Sequence, residues 1–352
     1  MYEDLKIKDN NANENFPKFN DIKTQLYIKL NNNMPSDIEN LNEIDTNSIF
    51  LKTLKGDQFL IFNDDSILIF QSDIQAKIFK DNINDVFIDG TFYSAPKALY
   101  QIIIIRNNVT DQKSYFTTCF ALCVNKSEET YKKLFIEVNK NLKRLYPDND
   151  IDPKNIHRDF ELALSNAIIG IWNNSKIRYC YFHYHQIIER KMKKYSNLVN
   201  NNIEAVELFK RIKTLPLIPN IYAKDIFNLI NAKNKISELN EFLDYYEKTF
   251  IKKYEIDYWN YFKEFNLRTN NPCENYTNRL NSFFEKKPTF YYLVHILARE
   301  ESLIKKEYEA LINNGFHKFY RYNGGDYYSC LIYYIDKEKE INGNGVAAKK
   351  KK

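Results

Sequence analysis

Three acidic residues stand in settings that suit metal-dependent chemistry. Asp89 follows a strand-like run in Asp85-Val-Phe-Ile-Asp-Gly-Thr-Phe92, Asp159 lies in His157-Arg-Asp-Phe-Glu161, and Glu274 lies in Thr269-Asn-Asn-Pro-Cys-Glu-Asn-Tyr-Thr-Asn278. Between the second and third comes Cys180-Tyr-Phe-His183. Mg²⁺ is a hard ion that prefers carboxylate oxygen, and a metal pair clamps both the attacking and the leaving oxygen of an in-line displacement. An acid at the end of one strand, a second at the end of a later strand and a third on a distant helix is how such a site gathers its ligands. Cutting or joining nucleic acid is therefore the leading expectation.

The elements that must hold these residues can be read from periodicity. Gln58-Phe-Leu-Ile-Phe62 and Ser66-Ile-Leu-Ile-Phe70 flank Asn63-Asp-Asp65, a hairpin signature, and Asp73 to Lys80 has the spacing of a short amphipathic helix. Val86 to Ile88, Tyr100 to Arg106 and Tyr115 to Val124 follow as three apolar runs close enough to form an antiparallel meander, the first ending at Asp89. Tyr131, Leu134, Phe135, Val138 and Leu142 give a helix one buried face, with Ser127 as its cap. A strand ending at Asp159, a helix over Glu161 to Trp172, a strand over Ile177 to Phe182 and a helix over Tyr184 to Leu198 complete a mixed sheet with helices on its faces.

After residue 200 the strand signal disappears. Glu204 to Ile212, Ala223 to Asn231, Lys235 to Phe250 and Tyr258 to Phe265 are helical by period, Pro216 and Pro219 break them, and further helices are expected over Pro272 to about Phe284 and Tyr291 to Ile312. The expected divisions are a polar start and helical preface over 1–57, a core over 58–199, a helical block over 200–268, C-terminal helices over 269–335 and a charged tail over 336–352.

Each acid also has a plain structural reading. Asp89 before Gly90 is a turn-forming pair, and Asp159 is placed to cap a helix starting at Phe160. With Asn271 as N-cap and Pro272 at the first helical position, Glu274 becomes the reciprocal glutamate of a capping box. Against this, Tyr276, Leu280 and Phe283 recur at core spacing, whereas Glu274, Thr277, Asn278 and Asn281 share another face, open to metal or DNA.

Composition bounds the partners. The net charge of +5 permits nucleic-acid binding without demanding it. Arg190, Lys191, Lys193, Lys194, Lys210, Arg211 and Lys213 face only three acids between Glu189 and Lys213, a stripe that suits a phosphate backbone or a solvated helix face. No apolar run approaches the roughly 18 residues of a membrane span, and the N-terminus lacks a secretory signal. Five scattered cysteines do not suggest a disulfide framework.

Cys180 and His183, with His185 nearby, invite a zinc reading, but no second Cys or His pair lies at finger-like spacing and none is assigned. His157 falls on the Asp159 side of its strand by alternation and suits orienting that carboxylate, contacting phosphate, or equally being a satisfied surface histidine. There is no Gly-x-Ser-x-Gly elbow and no P-loop.

Three strands, a helix, a strand, a helix and a strand, with acids ending the first and fourth strands, match a ribonuclease H-like α/β layout. Here the sequence resembles the Mutator-like (MULE) transposase family of the DDE superfamily. Gln58-Phe-Leu, Ile67-Leu-Ile-Phe-Gln71, Asp89-Gly-Thr-Phe92, Pro96 with Gln101, Lys126-Ser-Glu-Glu-Thr-Tyr131, Asp159-Phe-Glu with Ala163, Cys180-Tyr-Phe-His183 with Gln186, and Asn270-Asn-Pro-Cys-Glu-Asn275 occur in order.

The resemblance implies a DDE site that binds two Mg²⁺ or Mn²⁺ ions through Asp89, Asp159 and Glu274. Such a site hydrolyses DNA at the terminal inverted repeats of an element and joins the freed 3′ hydroxyl to target DNA. It also implies an all-helical insertion before the last catalytic helix, a place for Cys180 and His183 at the edge of the site, a homodimer or higher oligomer on DNA, and a nuclear location. Relatives commonly carry an N-terminal zinc-binding DNA-recognition domain, yet no Cys or His precedes Cys119. A domesticated, non-catalytic DNA-binding or regulatory protein is the alternative.

Overall fold

The computed structural model describes residues 34–110, 114–149, 151–263, 267–284 and 287–314. The polar start over 1–18, the aromatic segment Phe316 to Tyr334, Cys330 and Lys349 to Lys352 lie outside them. The chain divides into two compact units, 1–306 and 307–352; the first contains every strand described below, and the described part of the second, 307–314, is helical.

Strands β1 (Leu60–Asn63) and β2 (Ile67–Phe70) form the expected hairpin, closed by the Asp64 carboxylate, whose Oδ1 accepts from the Ser66 and Ile67 N–H groups at 2.8 and 3.0 Å. β3 (Asp85–Thr91), β4 (Gln101–Thr110) and β5 (Ser114–Cys123) form the antiparallel meander, and β2 pairs with β5. β6 (Asn155–Arg158) and β7 (Lys176–Tyr179) then add in parallel beyond β3, giving the order β1-β2-β5-β4-β3-β6-β7.

Parallel neighbours need long crossovers, and helices supply them. After α1 (Asp73–Asp81), helix α2 (Glu128–Leu145) connects β5 to β6 and α3 (Leu162–Ile171) connects β6 to β7. Ser127 caps α2 as expected, its Oγ accepting from Thr130 N–H at 3.2 Å.

Because strand side chains alternate, each strand feeds two cores. Ile67, Ile69, Val86, Ile88, Ile103 and Ile105 pack with α1, α2 and α3 on one face. That core continues without a break into the helical block: α4 (Tyr181–Lys193), α5 (Ser196–Asn201), α6 (Ile203–Thr214), α7 (Asn220–Ala232), α8 (Asn240–Tyr246), a π-helical turn over Glu247–Lys253, and α9 (Ile256–Trp259). Leu68, Phe70, Ile102, Ile104, Phe120 and Leu122 point to the other face, against α10 (Asn271–Ser282) and the start of α11 (Phe290–Asn314). Val86 and Ile88 belong to the first core, so Asp89 faces the second side, where α10 lies.

Several boundaries differ from expectation. β3 does not end at Asp89 but runs on to Thr91, because β4 continues to pair with it through Ile102. β7 stops at Tyr179, and α4 begins at Tyr181 with Cys180 as its N-cap, so the Cys-x-x-His segment opens a helix rather than closing a strand. Of the helix expected from Tyr258 to Phe265, the described residues hold only the end of the short α9, after which Asn260 turns extended. Among the described residues, no helix is long and apolar enough to cross a membrane.

Candidate active site

The parallel register brings the first two acids together. Phe87 is paired with His157, and two residues farther along each chain come Asp89 and Asp159. Adjacent strands lie about 4.8 Å apart, so the two carboxylates project from neighbouring chains at one end of the sheet.

A buried cation shapes the loop that carries Asp159. The Arg158 guanidinium is fully buried, donates from Nε to the Asp159 carbonyl at 3.0 Å and from Nη2 to the Glu161 carbonyl, and has Nη2 3.9 Å from Asp159 Oδ1. Its plane lies 5.4 Å from the Tyr179 ring centroid. Asp159 does not cap a helix: α3 begins at Leu162, with Glu161 at the cap position.

Helix α10 delivers the third acid, and three tethers fix where it lands. Asn270, its fully buried N-cap, donates from Nδ2 to the Ile88 carbonyl at 3.1 Å, next to Asp89. Arg106 on β4 donates from Nη1 to the Pro272 carbonyl and stands over the Tyr276 ring at 4.8 Å. Farther along, Asn281 Oδ1 accepts from the hydroxyl groups of Ser94 and Thr91 at the end of β3.

The capping-box reading of Glu274 fails on this geometry. The N-cap is Asn270, not Asn271, with no side-chain cap bond, and Pro272 sits at the second helical position. Glu274 is thereby one residue too deep to reach back, and its Oε1 is buried with no hydrogen-bond partner among the described residues.

Electrostatics report the convergence directly. Burial, and then the charge of Asp159, push the Asp89 carboxyl up to about 8 from an ordinary 3.8; the Gly90 N–H, donating to Asp89 Oδ1 at 3.0 Å, opposes this and Glu274 adds to it. A carboxyl raised first by burial and then by like-charged neighbours is one whose ionised form a bound cation would favour. The three carboxylates are not all within 4.8 Å of one another. Without a cation they repel, and a metal pair spaced about 3.5–4 Å apart does not require its outer ligands to touch.

A fourth carboxylate borders the trio. Gln101 Nε2 donates to the Tyr131 hydroxyl at 2.6 Å, which donates to Glu161 Oε1 at 2.8 Å. Burial first, and then Asp159, raise the Glu161 carboxyl, while the Tyr131 bond lowers it. Gly90 makes room for this relay: a Cβ there would lie 3.0 Å from Gln101 Oε1 and 3.2 Å from Ile103 Cδ1. The requirement at Gly90 is close approach, not a turn.

Cys180, His183 and Glu274 also come together, with one potential ligand atom from each lying within 4.8 Å of the others. His157, in contrast, does not orient Asp159. Its Nε2 is 2.9 Å from Asp85 Oδ1 and its ring stacks on Phe87 at 4.4 Å, because alternation places it level with Asp85 and Phe87. His185 is half-buried, with Tyr181 edge-on at 4.3 Å, and burial lowers its pKa.

The basic stripe is divided. Lys210 pairs with Glu207 at 2.8 Å, Lys213 with Glu189 at 3.0 Å, and Lys191 lies 3.6 Å over the Tyr245 ring. Arg190 donates from Nε to the Gln186 carbonyl at 3.3 Å and, like Lys193, Lys194 and Arg211, is exposed.

Residues 86–186 match the family model of the MULE transposase domain, from β3 through the Cys180 and His183 segment of α4. Over this segment the chain is similar to MULE transposase domains. Within it lie Asp89, Asp159, Cys180 and His183, whereas Glu274 arrives from outside the matched segment. No match was found among curated proteins. The Drosophila P element transposase strand transfer complex aligns at 10% identity over 88% of this chain and 84% of that one, with a TM-score of 0.25, a likeness too low to bear on fold or function.

Sequence reasoning missed Arg106, Arg158 and the tethering role of Asn270. Arg106 alone left a signal, a cation directly after the apolar run Ile102 to Ile105.

Proposed function

We propose that the protein is a DDE transposase core of the ribonuclease H-like class. In this reading it binds two Mg²⁺ or Mn²⁺ ions through Asp89, Asp159 and Glu274, hydrolyses DNA at element ends and transfers the resulting strand. The observation that carries it is the upward push on Asp89 by burial and by the charges of Asp159 and Glu274, residues from three distant segments. The order β5-β4-β3-β6-β7, antiparallel through β3 and then parallel, supports the fold assignment. The donor set fits hard divalent cations: all three are carboxylates, and Glu274 holds a buried oxygen with no partner among the described residues.

When bound, such ions activate the attacking oxygen and offset charge developing at phosphorus. The chain's own residues hold that arrangement in place. Arg158 fixes the Asp159 loop, Asn270 and Arg106 fix the start of α10, and the Gln101–Tyr131–Glu161 relay braces the floor beneath Gly90. Exposed Arg190, Lys193, Lys194 and Arg211 offer phosphate contacts, and Lys191, Lys210 and Lys213 join them by exchanging weak surface contacts for the backbone of DNA. Action as a dimer or larger assembly on DNA, in the nucleus, belongs to the same reading.

Cleavage and strand transfer on DNA carrying candidate terminal inverted repeats, with Mg²⁺ or Mn²⁺, test it. Wild type should nick and join where Asp89→Asn does neither. A wild type that binds DNA yet never nicks it would overturn the proposal and favour the non-catalytic alternative.

A further inference from the structure

The Cys180, His183 and Glu274 cluster is chemically unlike the acid trio it touches. Cys180 is buried, as the N-cap of α4, and its Sγ accepts from the Asn270 N–H at 3.2 Å. The same Asn270 side chain ties α10 to β3, so the thiol is held against the start of the helix that carries Glu274. His183 stands one turn into α4, on the same side, with Nε2 3.7 Å from Glu274 Oε1. Two polar atoms here are buried and have no hydrogen-bond partner among the described residues: His183 Nδ1 and Glu274 Oε1.

A sulfur, an imidazole nitrogen and a carboxylate oxygen form a borderline-soft donor set, suited to Zn²⁺ or Co²⁺ rather than Mg²⁺. Bound ligand atoms at a tetrahedral zinc lie roughly 3.3–3.6 Å apart, given bonds of about 2.0–2.3 Å. The observed 4.8 Å limit requires a closure of at most about 1.2–1.5 Å, within side-chain adjustment. The sequence shows no second Cys/His pair; the structure supplies the third ligand from α10 and leaves a fourth position open.

We propose that Cys180, His183 and Glu274 form a separate site for a transition metal ion of the Zn²⁺ class, and that filling it inhibits by withdrawing Glu274 from Asp89 and Asp159. The Cys180 thiol gives its proton to solvent as the metal–sulfur bond forms, and water completes the coordination shell. Binding stands on the cluster alone, whereas inhibition rests on the function proposed above.

Co²⁺ titration of the chelator-treated full chain tests binding without any catalytic readout. One equivalent should produce tetrahedral ligand-field bands in the visible and a thiolate-to-cobalt charge-transfer band in the near ultraviolet, both bleached by Zn²⁺. Cys180→Ser should abolish the charge-transfer band, while Cys273→Ser and Asp89→Asn retain it. His183→Ala, at a side chain 23% exposed, should weaken Co²⁺ binding by more than the ~10–100-fold typical of losing an outer-shell partner. Absence of the band, its persistence in Cys180→Ser, or wild-type affinity in His183→Ala would overturn the site.

For inhibition, one equivalent of Zn²⁺ should lower the Mn²⁺ affinity of the wild type by about tenfold or more, one ligand of the shared set being removed. Unchanged Mn²⁺ affinity overturns that part. A wild type that takes up Co²⁺ with the expected bands but binds no Mn²⁺ at all would instead refute the two-metal reading and leave the Cys180 site standing.

Discussion

Replacing Asp89 with Asn separates the electrostatic strain of gathering three carboxylates from the benefit of binding a cation. Unfolded, the Asp89 carboxyl titrates near 3.8; folded, burial and the neighbouring acids move it to about 8. Between those values the folded state holds a proton that the unfolded chain has released. The group's contribution to stability is therefore complete below about pH 4 and is lost as pH rises through about 8. Each step of one in pH across that window corresponds to about 1.4 kcal/mol, so from pH 5 to pH 8 the wild type should lose up to about 4 kcal/mol through this residue alone.

Asn has nearly the same shape and cannot ionise. In EDTA, urea unfolding of Asp89→Asn should show an advantage over wild type that grows by up to about 4 kcal/mol between pH 5 and pH 8. Adding Mn²⁺ at about 100 times its dissociation constant should return about 2.7 kcal/mol to the wild type and little to the variant. Parallel pH profiles for the two proteins in EDTA would refute the reasoning, because they would mean that Asp89 is not raised by burial and by Asp159 and Glu274.

Other substitutions probe the supports. Asn270→Ala deletes the bond to the Ile88 carbonyl and should cost about 1–3 kcal/mol in urea unfolding, with a parallel loss of Mn²⁺ affinity as α10 shifts. Gly90→Ala forces a methyl group to within 3.0 Å of Gln101 and should destabilise by about 1–3 kcal/mol, visible as a lower melting temperature. Replacing Lys193, Lys194 and Arg211 together with Ala should leave stability within about 0.5 kcal/mol of wild type. The same triple change should flatten the dependence of log K on log salt for duplex DNA by about 0.9 for each phosphate that is no longer neutralised, read by fluorescence anisotropy across a salt series.

What the sequence made legible was local or periodic. The β1–β2 hairpin, the β3–β5 meander and the buried face of α2 follow from alternation, turn residues and three-and-four spacing, which act within a few residues. The setting of Asp89 was readable because it follows the apolar run Val86 to Ile88, and that of Asp159 through the motif His157-Arg-Asp-Phe-Glu161. Glu274 was ambiguous because capping depends on which asparagine takes the N-cap, and only the Asn270 bond to Ile88, 182 residues away, decides that. The Arg106 bond to Pro272 spans 166 residues, and no pattern within α10 announces it. Cys180 and His183 looked like half of a zinc motif because the nearby sequence holds no partner pair; the fold supplies Glu274 instead. The role of His157 stayed open for a related reason, since alternation gives a side of the strand but not the height at which a neighbour such as Asp85 stands.

The most direct test of the central claim is anomalous scattering from a crystal soaked in Mn²⁺. The account predicts two peaks about 3.5–4 Å apart, ligated by Asp89, Asp159 and Glu274, and their loss in Asp89→Asn. Mn²⁺ peaks elsewhere on the protein with none between these carboxylates, or an unchanged pair in Asp89→Asn, would contradict it.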